Sequence, residues 1–222
     1  MQPDSNTPLK KTIYFVRHGE SADNVAPVFQ APDSPLSPKG REQADHIAKR
    51  VSGLSFDALI ASPLQRAKTT AEIIAAATGK TPEFSDIFVE CAKPAVLNGK
   101  PYEDSEANAL WRQWQESLRT PGMRADDGEN FDDIIERADT ALELLKNREE
   151  QSIVVVTHGY FLRTIVTRVL LGDTLTPETF GNFQKLMFME NTGLSVLLYE
   201  GAFEQDPCWR LWVYNDHAHL AD

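Results

Sequence analysis

Two His-Gly pairs are the residues of this 222-residue chain best suited to chemistry. His18-Gly19 follows Arg17 at the end of the apolar stretch "IYFV", and His158-Gly159 follows "IVVVT". An imidazole can act as a nucleophile or carry a proton, and a guanidinium can bind two oxygens of a phosphoryl group at once. A glycine after each histidine lets a ligand approach the backbone closely. Two such pairs together favour a site for a phosphorylated ligand.

The residues before these pairs predict strands that end where the polar side chains begin. Thr12 to Arg17, "FDALIAS" and "SIVVVTHG" are apolar runs of the kind that is buried in a parallel sheet. The second run delivers Ser62, and Arg66 follows about one helical turn later. Because ligands of open α/β sheets bind outside the carboxyl ends of the strands, we expect these strand ends, with Thr157 and His158 at the third, to converge.

Helical patterns alternate with these strands. In "LSPKGREQADHIAKRVSG", Ser37 can cap a helix and Gly53 can end it. "SPLQRAKTTAEIIAAATG" repeats the design, with Ser62 as the cap and Gly79 as the terminator, and a later helix is expected from about residue 161 to 171. The alternation predicts the α/β class, a three-layer α/β/α sandwich with a mostly parallel central sheet.

Two further parts of the chain depart from this alternation. Residues of about 91 to 150 contain "EDSEANALWRQWQESLRT" and "FDDIIERADTALELLKN", which predict a helical insertion or cap within a single domain spanning residues 1–222. "LMFMENTGLSVLLYEG" and "CWRLWVYN" are interpreted as late strands, with a hairpin around residues 191–193. The tail "NDHAHLAD" is interpreted as a disordered end.

Composition excludes several classes of protein. Hydrophobic residues make up 41% and charged residues 25%, which is typical of a globular domain. The net charge of -11 disfavours nucleic acid or an anionic membrane as a partner, since both need a basic surface. The sequence contains no long apolar run and no signal-peptide pattern. With Cys91 and Cys208 interpreted as reduced thiols, a cytoplasmic protein is expected.

The motifs "VRHGES" and, later, "VTHG" resemble those of the histidine phosphatase superfamily, which includes the cofactor-dependent phosphoglycerate mutases. "DSPLSPKGREQA" at 33–44 and "ASPLQRAKTTAEII" at 61–74 match further segments of the family in the same order, so the resemblance covers most of the chain. It implies a phosphoglycerate mutase-like fold. It also implies a phosphatase that needs neither metal nor cofactor and acts on a small phosphorylated substrate.

The resemblance implies a role for each matching residue. His18 would attack phosphorus to form a phosphohistidine, for which it must be neutral, with its other ring nitrogen held by an acceptor. Arg17, Arg66 and His158 would bind the phosphoryl oxygens and stabilise the charge of the transition state. Asn24 matches a position that hydrogen-bonds phosphate. The implied phosphate-binding set is completed by Ser21, Gln30 and Gly159.

The proton donor for the leaving group has two candidates. The family places a glutamate early in the insertion, where "DIFVECAKP" supplies Glu90. Burial beside Phe88 and Val89 would raise the pKa of this carboxyl group towards neutrality, as a general acid requires. Glu20, close to His18 in the sequence, is the rival. The resemblance favours Glu90.

Two departures from the mutase pattern favour hydrolysis over phosphate transfer. "ECAKPAVLNGK" replaces the Glu-Arg-His-Tyr-Gly type segment of the mutases, and "FQAPDSPLS" occupies the place of their Thr-Gly-Trp segment. A mutase and a non-catalytic phosphate-binding module remain the alternatives. The sequence leaves open the substrate and the oligomeric state, a homodimer included.

Substrate specificity is expected in the insertion. Lys93, Lys100 and Arg112 are candidates there for substrate contacts, with plain solvated charges as the alternative. Trp111 and Trp114 either pack the core of the insertion or line an apolar pocket.

Overall fold

A six-stranded sheet organises the chain in the computed structural model, which describes residues 10–201 and 206–221. In the sheet the strands follow the order β3-β2-β4-β1-β5-β6. The first four of these are parallel, β5 is antiparallel to β1, and β6 is antiparallel to β5. The strands are β1 (Lys11–Arg17), β2 (Ala58–Ala61), β3 (Pro82–Phe84), β4 (Ser152–Thr157), β5 (Leu194–Glu200) and β6 (Cys208–Asp216).

Seven α-helices join these strands in the described residues. They are α1 (Ala22–Val25), α2 (Pro38–Val51), α3 (Gln65–Thr78), α4 (Ser105–Ser117), α5 (Phe131–Asn147), α6 (Gly159–Leu171) and α7 (Pro177–Leu186). Short 3₁₀ turns lie at Asp86–Phe88, Ala95–Leu97, Gly172–Thr174 and Ala218–Leu220. Within these ranges, no helix is both long enough and apolar enough to cross a membrane.

Alternate residues of the central strands face the two helical layers. Ile153 and Val155 of β4 belong to the core that contains α5 and α6, while Val154 and Val156 belong to the core that contains α2 and α3. A strand buried on both faces needs apolar residues at every position, which explains the uninterrupted apolar runs. The predicted α/β/α sandwich with a mostly parallel sheet is confirmed.

The ends of the helices follow from local sequence at most of the predicted positions. Ser37 accepts a hydrogen bond from the backbone N–H of Gly40 at 3.0 Å and so caps α2. Gly79 ends α3 in the left-handed conformation, with φ of 69°. Ser62 is not the cap of α3, because that helix begins at Gln65 and the Ser62 hydroxyl contacts His158 instead.

The prediction of a hairpin around residues 191–193 is wrong. Residues 177–186 form α7, which begins at a capping box of Thr176 and Thr179 with Pro177 in the first turn. Only residues from Leu194 onwards form a strand, and β5 pairs with β6. The apolar residues 186–189 misled the prediction, since Leu186 ends α7 and the next residues form no strand, although Met189 is buried in the core.

The C-terminal turn packs against α2, so the interpretation of this tail as disordered is wrong for residues 217–221. The His219 ring contacts the Thr192 hydroxyl at 3.0 Å through Nε2 and the Arg50 guanidinium at 3.3 Å through Nδ1. Burial, followed by the charge on Arg50, lowers the pKa of His219 to about 4. Two polar contacts of this kind leave no pattern in the sequence, so the tail could not be distinguished from a disordered one.

The predicted insertion contains α4 and α5. Both helices contribute to the same core as α6, through residues such as Trp114 of α4 and Ile134 of α5. The segment therefore provides part of one helical layer. The interpretation of residues 91–150 as an insertion within a single domain stays a prediction.

Candidate functional site

The parallel pairing of β1 with β4 brings the two His-Gly pairs together. Arg17 lies beside Thr157 in the register, and the His18 N–H donates to the Thr157 carbonyl at 3.0 Å. Ser62 N–H, at the end of β2, donates to Val156 O at 3.0 Å. The ring centroids of His18 and His158 are 5.0 Å apart. The predicted convergence of the three strand ends is confirmed.

His18 presents one ring nitrogen to an acceptor and the other to a donor. Its Nδ1 lies 2.6 Å from the carbonyl oxygen of Gly19, which can only accept, so Nδ1 carries the proton. Its Nε2 accepts a hydrogen bond from Arg66 Nε at 3.2 Å and therefore holds a lone pair. Only 2% of His18 is exposed, and burial, followed by the charges on Arg66 and Arg17, lowers its pKa well below the ordinary value. The ring is thus neutral, with the lone pair on Nε2.

Two guanidinium groups flank this imidazole without carboxylate partners in the described residues. Arg17 donates to the carbonyl oxygen of Met189, and Arg66 donates to that of Ala31 at 3.1 Å. Burial lowers the pKa of Arg66 to about 10, so its guanidinium is still charged at neutral pH. Buried cations whose partners are carbonyl oxygens and a neutral ring nitrogen keep their charge available to an anion.

His158 is fully buried on the other side of this cluster. Its Nε2 lies 2.8 Å from the Ser62 hydroxyl, and burial, followed by the charge on Arg66, lowers its pKa well below the ordinary value. Among described residues, two buried side-chain nitrogens lack a hydrogen-bond partner: His158 Nδ1 and Arg17 Nε. Because buried polar atoms are normally paired, both nitrogens indicate a ligand rich in oxygen.

Gly159 lets Arg17 lie against the start of α6. A Cβ atom at this position would stand 3.1 Å from Arg17 Nε, closer than ordinary packing allows. Gly19 serves a second close approach, since a Cβ there would overlap the carbonyl oxygen of Gly40 in the first turn of α2. The two glycines that follow the histidines thus allow neighbouring elements, as well as a ligand, to come close.

Glu90 lies at the N-terminus of α6, where it accepts three backbone hydrogen bonds. Oε1 accepts from Cys91 N and Phe161 N, both at 2.9 Å, and Oε2 accepts from Tyr160 N at 3.1 Å. The carboxyl group therefore has a polar environment, which the apolar neighbours Phe88 and Val89 did not indicate. The N–H groups of a first helical turn have no partner within the helix, so a carboxylate there is well placed.

The rival carboxyl group lies elsewhere. Glu20 Oε1 accepts from the Ser37 hydroxyl at 2.8 Å, and Lys39 Nζ is 3.5 Å from Oε2. These contacts bind Glu20 to the start of α2, whereas Glu90 lines the cavity next to Arg66. The geometry favours Glu90 as the group that faces a substrate.

The remaining predicted phosphate-binding residues form a local network around α1. Ser21 caps this helix by accepting from Asn24 N at 3.3 Å, and Asn24 Oδ1 accepts from Ser21 N at 3.0 Å. Gln30 donates its side-chain amide to the Ser21 hydroxyl. Asn24 and Gln30 line the cavity, while Ser21 is buried behind them. Because Asn24 uses its oxygen in the cap, its amide nitrogen is the atom left to donate.

A cavity of about 780 Å³ opens beside Arg66 and Glu90. Phe29, Tyr102, Trp111 and Trp114 form one aromatic wall, in which the two indole rings have centroids 4.8 Å apart. Trp114 is buried and donates its indole N–H to the Glu129 carbonyl at 2.8 Å. Both predicted roles of the tryptophans therefore hold, since they pack the core and line the cavity.

Four cationic side chains line the same cavity away from His18, and one of them was predicted. Lys93 donates to Gln30 O at 2.5 Å and to Asn98 Oδ1 at 2.6 Å, and burial, followed by the charge on Arg66, lowers its pKa to about 8. Lys100 and Arg112, the other two candidates, do not line it. The sequence did not indicate the remaining three, which are Arg119, Arg163 and Lys185.

The chain is similar to known proteins in both sequence and structure. A family model described as "Histidine phosphatase superfamily (branch 1)" matches residues 13–210. The chain is 33% identical over 215 residues to the protein named "Probable phosphoglycerate mutase GpmB" of Shigella dysenteriae, with 94% of each chain covered.

Solved structures share the fold. A variant phosphoserine phosphatase of Entamoeba histolytica, in complex with phosphoserine, superposes with a TM-score of 0.74 at 24% identity, covering 95% of this chain and 100% of that one. A mycobacterial glucosyl-3-phosphoglycerate phosphatase gives a TM-score of 0.71 at 24% identity, covering 93% and 99%.

Proposed function

The chain belongs to the histidine phosphatase superfamily, and we propose that it is a metal-independent phosphatase that hydrolyses a small phosphomonoester through a phosphohistidine on His18. The observation that carries this proposal is the state of the His18 ring. The hydrogen bond to the Gly19 carbonyl oxygen keeps the proton on Nδ1. The lone pair is therefore on Nε2, which accepts a hydrogen bond from the buried guanidinium of Arg66. A phosphoryl group bound to the arginines would therefore meet a neutral nucleophile.

In the first step, the phosphoryl oxygens bind Arg17 and Arg66. The bond from Arg66 Nε to His18 Nε2 gives way as the guanidinium turns to a phosphoryl oxygen, which frees the lone pair. Nε2 forms a bond to phosphorus while the bond to the leaving oxygen breaks. That oxygen keeps the electron pair and takes a proton from Glu90.

In the second step, water attacks the phosphohistidine. Glu90 takes a proton from the water, the bond between nitrogen and phosphorus breaks, and its electron pair returns to Nε2. Inorganic phosphate leaves, and His18 and Glu90 regain their starting protonation. In both steps Arg17, Arg66 and His158 stabilise charge on the equatorial oxygens, in a buried site where such interactions are strong.

Phosphoglycerate mutase-type transfer is the second candidate, because a relative of 33% identity carries that name. The first step is the same, and an alcohol of the substrate replaces water in the second. A non-catalytic phosphate-binding module is less favoured. The neutral nucleophile, both arginines and Glu90 are all present at one edge of the sheet.

Hydrolysis of p-nitrophenyl phosphate in the presence of a chelator tests the proposal. We expect turnover by the native chain and none by His18→Ala, with His46→Ala as the control because His46 is an exposed residue of α2. A radiolabelled phosphoryl group should be trapped as an acid-labile adduct in the native chain and lost in His18→Ala. No hydrolysis across a broad panel of phosphate esters would exclude a phosphatase. Interconversion of phosphoglycerates that depends on a bisphosphate primer would favour the mutase.

A further inference from the structure

Arg119, Arg163 and Lys185 form a cationic end of the cavity, where the turn after α4 meets α6 and α7. In residues 10–201 and 206–221 none of the three forms a salt bridge, although the chain carries 33 acidic and only 22 basic residues. The carboxylates that line the cavity do not supply partners, since each accepts backbone N–H groups instead. These carboxylates are Asp23, Glu90 and Asp127.

One face of α7 brings these cations together. Arg163 donates from Nε to Gln184 Oε1 at 2.9 Å and from Nη1 to Met187 O at 3.3 Å, so uncharged groups hold its guanidinium. Lys185 is the next residue on α7. Arg119 reaches the same helix at Gly181, where a Cβ atom would stand 3.4 Å from Arg119 Nε. The absence of a side chain at this position lets the arginine lie against α7.

The cationic end is continuous with the proposed reaction site. The Arg163 guanidinium lies 5.7 Å from the centroid of the Tyr160 ring, and Tyr160 N–H donates to Glu90 at 3.1 Å. Burial raises the pKa of the Tyr160 hydroxyl, so the phenol is neutral and supplies no negative charge to Arg163. A substrate held by its phosphoryl group at Arg17 and Arg66 would extend past Tyr160 towards these cations.

We infer that the cationic end binds a second anionic group of the substrate, a carboxylate or a phosphate. The preferred substrates are then phosphomonoesters that carry such a group, a conclusion that rests on the proposed function. Two arginines and a lysine without carboxylate partners form charge-assisted hydrogen bonds with an anion. A neutral group of the same size forms no such charge-assisted hydrogen bonds, and the three cations stay hydrated. Substrates with a second anionic group should therefore bind more tightly than neutral ones of the same size.

Matched substrate pairs test this inference. Monophosphates of ω-hydroxy acids of increasing chain length are compared with monophosphates of the α,ω-diols of the same length, which replace the carboxylate with a hydroxymethyl group. At the length that spans the cavity, we expect the native chain to favour the acid in kcat/KM by about tenfold or more, the size of one charge-assisted hydrogen bond. Higher salt should reduce this preference, because the cationic end is open to solvent.

The double variant Arg119→Gln/Lys185→Gln, which keeps only Arg163 of the three cations, should reduce the ratio of the two kcat/KM values several-fold, mainly through KM of the acid. Arg112→Gln is the control, since Arg112 is exposed on α4 and does not line the cavity. A native ratio near one at every length, or a ratio that is undiminished in the double variant, would overturn the inference. Failure of the native chain to hydrolyse p-nitrophenyl phosphate would instead reject the proposed function.

Discussion

The two nitrogens of His18 have different partners, and this difference decides which of them can react. The carbonyl oxygen of Gly19 fixes the proton on Nδ1, so the backbone of the next residue selects the tautomer without a carboxylate. Arg66 occupies the lone pair of Nε2 before a substrate binds and also keeps the ring neutral through its charge. In the proposed mechanism, one arginine would thus prepare both the nucleophile and the binding site of the phosphoryl group.

Replacement of Glu90 tests its role as the proton donor. We expect Glu90→Gln to reduce kcat/KM, which reports the steps up to departure of the leaving group, by about 10²- to 10⁴-fold for alkyl phosphates, the usual contribution of a general acid. The loss for p-nitrophenyl phosphate should be much smaller, because p-nitrophenolate leaves without a proton. Steady-state kinetics with both substrates measures the difference.

The matched control for this experiment is Glu20→Gln, since Glu20 is bound to the start of α2. This variant should affect both substrates equally. An equal loss for the two substrates in Glu90→Gln would show that Glu90 only positions the start of α6 through its hydrogen bonds to Tyr160 and Phe161.

At the scale of the elements, Gly159 at the start of α6 allows the side chain of Arg17, at the end of β1, to pack against this helix. In Gly159→Ala the added methyl group would stand 3.1 Å from Arg17 Nε and would displace the guanidinium. We expect kcat/KM to fall by about tenfold or more, because small misplacements of binding groups are costly. The free energy of unfolding, measured with urea, should change by less than about 1 kcal/mol, since alanine favours the helix.

Gly53→Ala is the control for this substitution, since a Cβ atom there would stand at 3.4 Å from the Arg50 carbonyl and no positive φ is required. It should leave kcat/KM unchanged. Full activity of Gly159→Ala would show that Arg17 tolerates the displacement.

Helix α5 supports the segment that carries Glu90. Arg137 forms a salt bridge with Glu129 at 2.7 Å, donates to the carbonyl oxygens of Ile87 and Val89 at 3.0 and 2.9 Å, and stacks on the Phe161 ring at 3.9 Å. Arg137 thus holds the backbone before Glu90 and contacts the helix that Glu90 caps.

Arg137→Met should destabilise the protein by about 3–5 kcal/mol, because it leaves a largely buried Glu129 carboxylate without its partner. Urea denaturation measures the change. Adding Glu129→Leu should recover part of the loss by removing the unpaired charge. Arg112→Met, on an exposed side of α4, should change the stability by no more than about 0.5 kcal/mol. A similar small effect for Arg137→Met would mean that the pair contributes little.

At the scale of the whole molecule, His18, His158 and His219 have pKa values below the ordinary one. Each is neutral in the folded protein at a pH where it is protonated in the unfolded chain, so unfolding takes up protons below about pH 6.5. The free energy of unfolding should therefore be insensitive to these groups above that pH. It should decrease as the pH falls below it.

His158→Gln should weaken this dependence. Between about pH 6.5 and pH 5 the variant should lose stability less steeply than the native chain, by about 1.4 kcal/mol per pH unit for one proton. Urea denaturation at several pH values measures both slopes. His46→Gln, at an exposed position, should keep the native slope. Parallel curves for the native chain and His158→Gln would show that His158 is protonated equally in both states.

The sequence predicted those features that depend on neighbouring residues along the chain, such as apolar strands and the polar residues that follow them. The strands that end at His18 and His158 are continuous apolar runs, and their convergence follows from parallel pairing. The cationic end could not be predicted, because Arg119, in the turn after α4, and Lys185, on α7, are distant in sequence and meet only through tertiary packing. The polar environment of Glu90 was missed for the same reason, since its donors at the start of α6 are distant in sequence.

The order of the strands has a consequence for biosynthesis. Strand β4 lies between β1 and β2 in the sheet, although it is synthesised after both. Until Thr157 has left the ribosome, β1 and β2 lack their shared neighbour, and the backbone groups that pair with β4 are exposed. Pairing over such a sequence distance is slow and leaves nascent chains open to aggregation. His18, the proposed nucleophile, is synthesised before β4, so a nascent chain would lack the proposed site until this central strand completes the sheet.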